Sequence, residues 1–314
     1  MKLLGNTDLQ IPPIVFGGNV FGWTLNEKES FEMLDRLLDA GFNTIDTADT
    51  YSRWGEGLEG GESETIIGKW LKDRGVRDRV NIITKVGGDM GKGRTDLSEE
   101  YILQEAENSL GRLQIEQIDL YLTHYDDESS PVEETLGAYQ KLMDAGKVKY
   151  IGASNLSAER LRESLEASRE NDLPRYKVFQ PEYNLYDRQE FEEGVGPLCR
   201  EEGLGVIPYY ALAAGFLTGK YRSEEDAEGR KRVGMVQKYL NDRGYRILNT
   251  LDVIAEKHGI SQAGVALAWL INRPAISAPI ASATKESHLD AFKEAVKTDL
   301  DDEDMQQLND VSAY

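Results

Sequence analysis

The sequence predicts an α/β fold, a single (β/α)8 TIM barrel over residues 1–314, and three observations carry that expectation. Short apolar runs alternate with segments of helical periodicity from residue 14 to residue 296, eight such runs can be counted, and no shift in composition marks a domain boundary. Strands that are each joined to the next by a helix run parallel, and eight such units close into a barrel rather than an open sheet. An N-terminal β-hairpin cap over Leu3 to Pro13 and extra helices and loops complete the expected fold.

The first strand is IVFGG at 14–18, closed by glycines, and Phe31, Leu34, Leu37 and Leu38 give the helix after it its apolar stripe. Gly41 stops that helix, and NTID at 43–46 re-enters a strand. Ser63 opens a helix with Ile66, Ile67, Trp70 and Leu71 on one face; VNIITKV at 80–86 follows, then a helix from a Ser98 cap through Leu113. IDLYLTH at 118–124 is the fourth strand. Pro131 starts a helix reaching Gly146, and VKYIGAS at 148–154 is the fifth strand. Ser157 to Glu170, KVFQPEYN at 177–184, Phe191 to Glu202 and GVIPYY at 205–210 continue the alternation through a seventh strand. Residues 219–244 lack periodicity and are rich in Gly, Arg, Lys and Glu, which fits a surface excursion acting as a flap. Helices over Tyr245 to His258 and Ser261 to Asn272, an eighth strand AISAPIA at 275–281, a helix from Glu286 to Val296 and a terminal helix in LDDEDMQQL at 300–308 finish the chain.

Composition excludes several functions. Thirty-six Lys and Arg against 56 Asp and Glu give a net charge of −20, which repels phosphate backbones, so nucleic acid is not an expected partner. No uncharged stretch is long enough for a membrane span, and MKLLGNTDLQIPP has no apolar run before a small-residue cleavage site, so the expected location is the cytoplasm. One cysteine, Cys199, forbids internal disulfides, and with three histidines it leaves too few soft ligands for a metal site.

In such a barrel the chemistry lies at the C-terminal ends of the strands. Asp46 ends the second strand, Lys85 ends the third, His124 ends the fourth, and Tyr51 follows Asp46 by five residues in the next loop. On one rim, Asp46 would hold Lys85 as a cation, that cation would lower the pKa of Tyr51, and the phenol would act as general acid beside His124. Taken one at a time, these residues also read as a strand-end carboxylate, a solvated lysine, a loop aromatic and a satisfied rim histidine. Four reactive groups on one rim favour the joint reading.

NTIDTADTY at 43–51, ITK at 83–85 and DLYLTH at 119–124 resemble the catalytic segments of the aldo-keto reductases. GGESETIIG at 60–68, GASN at 152–155, FQPEYNLYDR at 179–188 and ALAAGFLTGKY at 211–221 resemble that family's patterns in the same order, so the likeness spans essentially the whole chain. It implies an NAD(P)H-dependent reductase of aldehydes or ketones that in the other direction oxidises the corresponding alcohol, with Tyr51 as proton donor, Lys85 and Asp46 tuning it, and His124 positioning the carbonyl. It further implies that Ser154, Asn155 and Gln180 hold a nicotinamide carboxamide, that Tyr209 stacks beneath the ring, and that Leu212, Gly215, Leu217, Thr218 and Lys220 wrap the pyrophosphate. Tyr210 is the alternative inward residue if the strand register differs.

At the adenosine end the chain departs from the family. Ala281 and Ser282 stand where relatives carry Pro-Gly or Pro-Lys, His288 where they carry Arg or Gln, and Phe292 where they carry Asn. Ser282, Thr284, Lys285 and His288, with Arg230 and Arg232 of the flap, are the expected contacts there; NADP(H) is favoured and NAD(H) is the alternative. Trp23, Trp54 and Tyr210, with Asn19 and Arg53, are the candidate contacts to a small carbonyl or alcohol substrate, with a sugar-like face among the options. The oligomeric state is unreadable from the sequence. A cofactor-binding regulatory subunit with little turnover and a Schiff-base lyase using Lys85 are the alternative functions.

Overall fold

The computed structural model describes residues 1–223, 225–227 and 233–314. β1 (Lys2–Leu3) and β2 (Gln10–Ile11) form an antiparallel hairpin in which Lys2 faces Ile11 and Leu3 faces Gln10. Eight further strands run parallel: β3 (Val15–Gly17), β4 (Thr44–Asp46), β5 (Asn81–Val86), β6 (Ile118–Thr123), β7 (Val148–Ser154), β8 (Val178–Gln180), β9 (Gly205–Val206) and β10 (Ile280–Ala281). β10 pairs with β3, and the Ser277 and Ile280 N–H groups donate to the carbonyls of Val206 and Pro208, closing the circle. This is the expected (β/α)8 barrel. Leu4, Leu9 and Ile11 of the hairpin segment pack with Val15, Ile83, Leu120, Leu122, Val178 and Ile207 in the barrel interior, so the hairpin caps its N-terminal end.

Helices α1 (Glu27–Asp39), α2 (Glu62–Arg74), α3 (Glu99–Leu113), α4 (Val132–Asp144) and α5 (Ala158–Glu170) alternate with β3 to β8, and their apolar faces cover the outside of the sheet. Asn26 and Glu29 form a capping box on α1, and Ser157 caps α5 through the Arg160 N–H. α6 (Gly196–Glu201) is shorter than its sequence suggests, because a π-helical turn at Glu190–Val195 precedes it and Pro197 has no N–H to offer. α7 (Val233–Val236), α8 (Asp242–His258), α9 (Gln262–Ile271), α10 (His288–Lys297) and α11 (Asp302–Val311) complete the chain. None of the described helices is long and apolar enough to cross a membrane.

The sequence overstates the last three strands. Pro181 and Pro208 cut the predicted runs 177–184 and 205–210 to Val178–Gln180 and Gly205–Val206, and Pro279 leaves only Ile280–Ala281 of 275–281, since proline cannot donate to a ladder. Ser63 and Ser98 also depart from expectation. Ser63 is buried inside α2, bonding the Gly18 carbonyl, and Ser98 turns its hydroxyl to Asp96 instead of capping α3.

Close packing of α2 on α3 depends on Gly68, where a β-carbon would collide with the Arg112 carbonyl and the Leu113 backbone. Gly68→Ala is expected to destabilise the fold by about 1–3 kcal/mol or more, the cost of overpacking a close-packed contact. Thermal unfolding checks it; an unchanged midpoint would mean that the two helices can move apart freely.

Candidate active site

Side-chain alternation along the strands builds the site. Ile83, Leu120, Val178 and Ile207 point into the barrel, so residues two or four places further along the same face point into its mouth: Lys85, His124, Gln180 and Tyr209. Asp46, last in β4, faces the same way as Thr44, and Ser154, last in β7, the same way as Gly152. Tyr209 is thus the inward residue of its pair. Tyr210 is exposed, with a positive φ of 54°, and its carbonyl accepts from Asn184.

Asp46 and Lys85 are buried and 2.8 Å apart. The Lys85 ammonium donates to Asp46 Oδ2 at 2.8 Å, to the Thr47 carbonyl at 2.6 Å and to the Tyr51 oxygen at 2.8 Å, so three acceptors match its three protons. Tyr51 donates its own proton to Asp46 Oδ2 at 3.0 Å, and the second Asp46 oxygen accepts from Gln180 Nε2 at 2.9 Å. The His124 ring centroid lies 6.1 Å from that of Tyr51, and Thr50 Oγ1 is 3.5 Å from His124 Nδ1, which leaves Nε2 for the mouth. Asp46, Tyr51, Lys85 and His124 thus lie together at the mouth.

Their electrostatics differ from the sequence reading at one point. Tyr51 is not lowered: burial, then the Asp46 charge and the hydroxyl's bond to Asp46, push it well above the ordinary phenol value, so it is a firmly protonated phenol. Burial pushes Lys85 below the usual lysine value, opposed by Asp46. Burial and the Lys85 charge hold His124 well below the ordinary imidazole value, so the ring is neutral and can donate a hydrogen bond without carrying charge.

A second network adjoins the first. Asn155 donates to the His124 carbonyl at 2.9 Å and to Ser154 Oγ at 3.1 Å, its Oδ1 accepts from the Tyr209 hydroxyl at 2.8 Å, and Ser154 donates to the Gln180 carbonyl at 2.8 Å. One acceptor position remains on Ser154 Oγ, one on Asn155 Oδ1, and one N–H on Gln180. Leu212, Gly215, Leu217 and Thr218 lie on the turn after β9, where Ala213, Ala214 and Gly215 all have positive φ, and the Lys220 ammonium sits beside the Gly215 backbone. Leu217 itself is fully buried in the core.

At the far end, Lys220 and Lys285 both act electrostatically on His288, which burial and these two charges hold below its ordinary value. The Thr284 N–H donates to His288 Nδ1 at 3.3 Å. Ser282 turns inward instead, its hydroxyl 2.8 Å from the Gly17 carbonyl and 2.6 Å from Asn19 Oδ1. Arg230 and Arg232 lie outside the described residues. The described end of the 219–244 excursion is anchored: Tyr239 stacks on Phe216 and donates to Asp187 at 2.7 Å, and Lys238 pairs with Glu182 and Asp187.

Around the mouth, Trp54 meets Tyr51 and Trp23 edge-on, each at 5.7 Å between centroids. Arg53 lies 3.9 Å from Asp89. Sequence reasoning missed Tyr125, which stacks on His124 at 4.6 Å and is exposed at the rim, although it directly follows His124.

A sequence model described as the Aldo/keto reductase family matches residues 13–313. The chain is similar to the aldo-keto reductase YhdN of Bacillus subtilis (strain 168), 34% identical over 301 residues, covering 94% of this chain and 86% of that protein. It is 34% identical over 296 residues to a probable voltage-gated potassium channel subunit beta of Oryza sativa subsp. japonica, covering 92% and 88%. It is 30% identical over 306 residues to L-glyceraldehyde 3-phosphate reductase of Escherichia coli (strain K12), covering 94% and 87%.

Proposed function

Because the chain belongs to the aldo/keto reductase family, we propose that it is an NAD(P)H-dependent reductase of a small aldehyde or ketone, reversible towards the alcohol, in which Tyr51 delivers the proton. The observation that carries this reading is the Tyr51 hydroxyl held between Asp46 Oδ2 and the Lys85 ammonium at the barrel mouth. A nicotinamide cofactor supplies the hydride when bound. The residues present fit one: the remaining acceptors of Ser154 and Asn155 and the remaining N–H of Gln180 complement the N–H2 and C=O of a carboxamide. Gly215, where the backbone is open to close approach, and the Lys220 ammonium beside it suit a pyrophosphate. Tyr51 and neutral His124 then act together on a carbonyl oxygen, orienting it and donating to it as negative charge develops. Lys85 stabilises a Tyr51 oxygen that has given up its proton. Three acceptors around Lys85, the Asp46 carboxylate among them, favour the ammonium form, which has no lone pair to attack a carbonyl, and this disfavours the Schiff-base lyase.

The rings of Trp23, Trp54, Tyr125 and Tyr210 suit a flat or sugar-like substrate face. The similarity to a channel subunit beta favours, as a second reading, a cofactor-binding subunit with little turnover. A cytoplasmic location belongs to the proposal, because a single cysteine fits a reducing compartment. Titration with NADPH and NADH, followed by quenching of tryptophan fluorescence, and then carbonyl-dependent oxidation of the bound cofactor, test the reading. Binding with repeated turnover supports the reductase, binding with a single slow turnover supports the subunit, and binding of neither cofactor rejects both.

NADP(H) is the proposed form, on the convergence of Lys220, Lys285 and His288. A 2′-phosphate would favour the His288 imidazolium, whose added proton displaces the long Thr284 bond at Nδ1, so NADPH affinity is expected to tighten as pH falls from about 8 to 6, within reach of the ordinary imidazole range. NADH affinity should stay level. In His288→Gln the pH dependence should flatten, with NADPH weakened by about tenfold at the acid end, roughly one charge-assisted contact. Equal slopes for the two cofactors would place the phosphate elsewhere.

A further inference from the structure

Behind the loop that carries Tyr51 lies a second buried charge cluster, separate from Asp46 and Lys85. Asp49 is fully buried; its Oδ1 accepts from the Thr50 N–H at 2.6 Å, while its Oδ2 has no hydrogen-bond partner among the described residues. The buried Tyr121 hydroxyl of β6 likewise has none. From α2, Glu64 accepts from Thr84 and from Arg112 Nε at 2.7 Å; from α3, Glu105 accepts from Arg112 Nη2. Tyr101 of α3, Tyr139 of α4 and Lys85 of β5 also lie within electrostatic range of Asp49. Arg112 is therefore held by two glutamates, Lys85 is held by Asp46, and neither hydrogen-bonds Asp49. Among the described residues no group of three or more His, Cys, Asp or Glu side chains could hold a metal ion in compensation.

An ionised carboxylate with one bare oxygen, sealed from water beside two other carboxylates, is far costlier than the neutral acid, whose unpaired O–H carries no charge. We propose that Asp49 is carried as a neutral carboxylic acid, with its proton on Oδ2, and that in this form it is a positioning residue for the Tyr51 loop. Oδ1 fixes the Thr50 N–H, the Thr50 hydroxyl lies 3.5 Å from His124 Nδ1, and the Asp49 backbone N–H leans on the Lys85 carbonyl at 3.4 Å, so the residue and its neighbour join the Tyr51 loop to two of the rim residues, His124 and Lys85. Burial and the charges of Glu64 and Glu105 push Asp49 in the same direction, well above the ordinary carboxylate range. The positioning role rests on the reductase reading; the protonation does not.

The test uses the full chain and its Asp49→Asn and Asp49→Ala variants. Infrared difference spectra at neutral pH should show the carbonyl stretch of a protonated carboxylic acid that is lost in D49N. D49N, an isostere of the neutral acid, should keep the wild-type pH profile of turnover, whereas D49A should lose about 10- to 10²-fold in turnover, the scale of small misplacements of reacting groups. Wild-type stability should fall as pH rises above the ordinary Asp range, because the folded chain keeps a proton that the unfolded chain releases, and D49N should lack that slope. No acid carbonyl band, or an alkaline limb of D49N displaced to lower pH through loss of a real anion beside Lys85, overturns the proposal. If D49A does not fold, the D49N measurements still decide. If the chain reduces no carbonyl, the infrared and stability results still stand, which separates failure of the protonation from failure of the reductase reading.

Discussion

Tyr51→Phe is expected to lower carbonyl turnover by about 10²–10⁴-fold, the contribution of a positioned general acid and equivalent to about 3–5 kcal/mol of barrier. The substitution removes the oxygen that donates to Asp46 and accepts from Lys85 while leaving the ring under Trp54 and beside His124. Cofactor affinity, read by fluorescence quenching, should stay near wild type, because the groups proposed to hold the cofactor do not bond Tyr51. Lys85 loses one acceptor in this variant, so a modest loss of about 1–3 kcal/mol in stability accompanies it. Turnover is therefore compared at a temperature where both proteins are folded. Normal turnover in Tyr51→Phe would show that the proton comes from another group, with His124 the nearest alternative.

Lys85→Met should have the largest effect on the fold itself. It removes the cation from a pair whose members are buried at 2.8 Å and leaves Asp46 as an uncompensated buried charge, at a cost of about 3–5 kcal/mol. The double variant Asp46→Asn/Lys85→Met removes the stranded charge as well and should recover most of that stability in urea unfolding. Turnover should not return with it, because Tyr51 has then lost both of its partners. If the double variant were no more stable than the single one, the pair would matter through packing rather than charge.

Much of this site could be read from the chain because the barrel imposes two simple rules, a side-chain period of two and a rim at the strand ends. Asp46, Lys85 and His124 obey both, and so does Tyr209, whose inward direction follows from Ile207 two residues before it. What escaped sequence reading depends on contacts between elements distant in the chain. The direction of the Tyr51 shift turns on burial outweighing the nearby cation, and burial is a property of the assembled mouth. Asp49 stood in plain view within DTADTY, yet its partners Glu64, Glu105 and Arg112 come from two different helices. Ser282 has the residue type of a phosphate ligand, but the neighbouring Gly17 carbonyl and Asn19 claim its hydroxyl. The strands were overcounted at their ends, where Pro181, Pro208 and Pro279 interrupt runs that otherwise have strand composition.

The aromatic rim has a consequence for how such a protein can change over generations. Trp23, Trp54, Tyr125 and Tyr210 come from four separate loops, following β3, β4, β6 and β9, whereas Asp46 and Lys85 sit within strands whose ladders and core fix them. Loops accept substitution and altered length at little expense to folding, and strand ends inside a packed barrel do not. Diversification can therefore act on one ring of the mouth at a time, exploring new molecules to accept, while the machinery beneath and the scaffold that holds it pass unaltered to descendants.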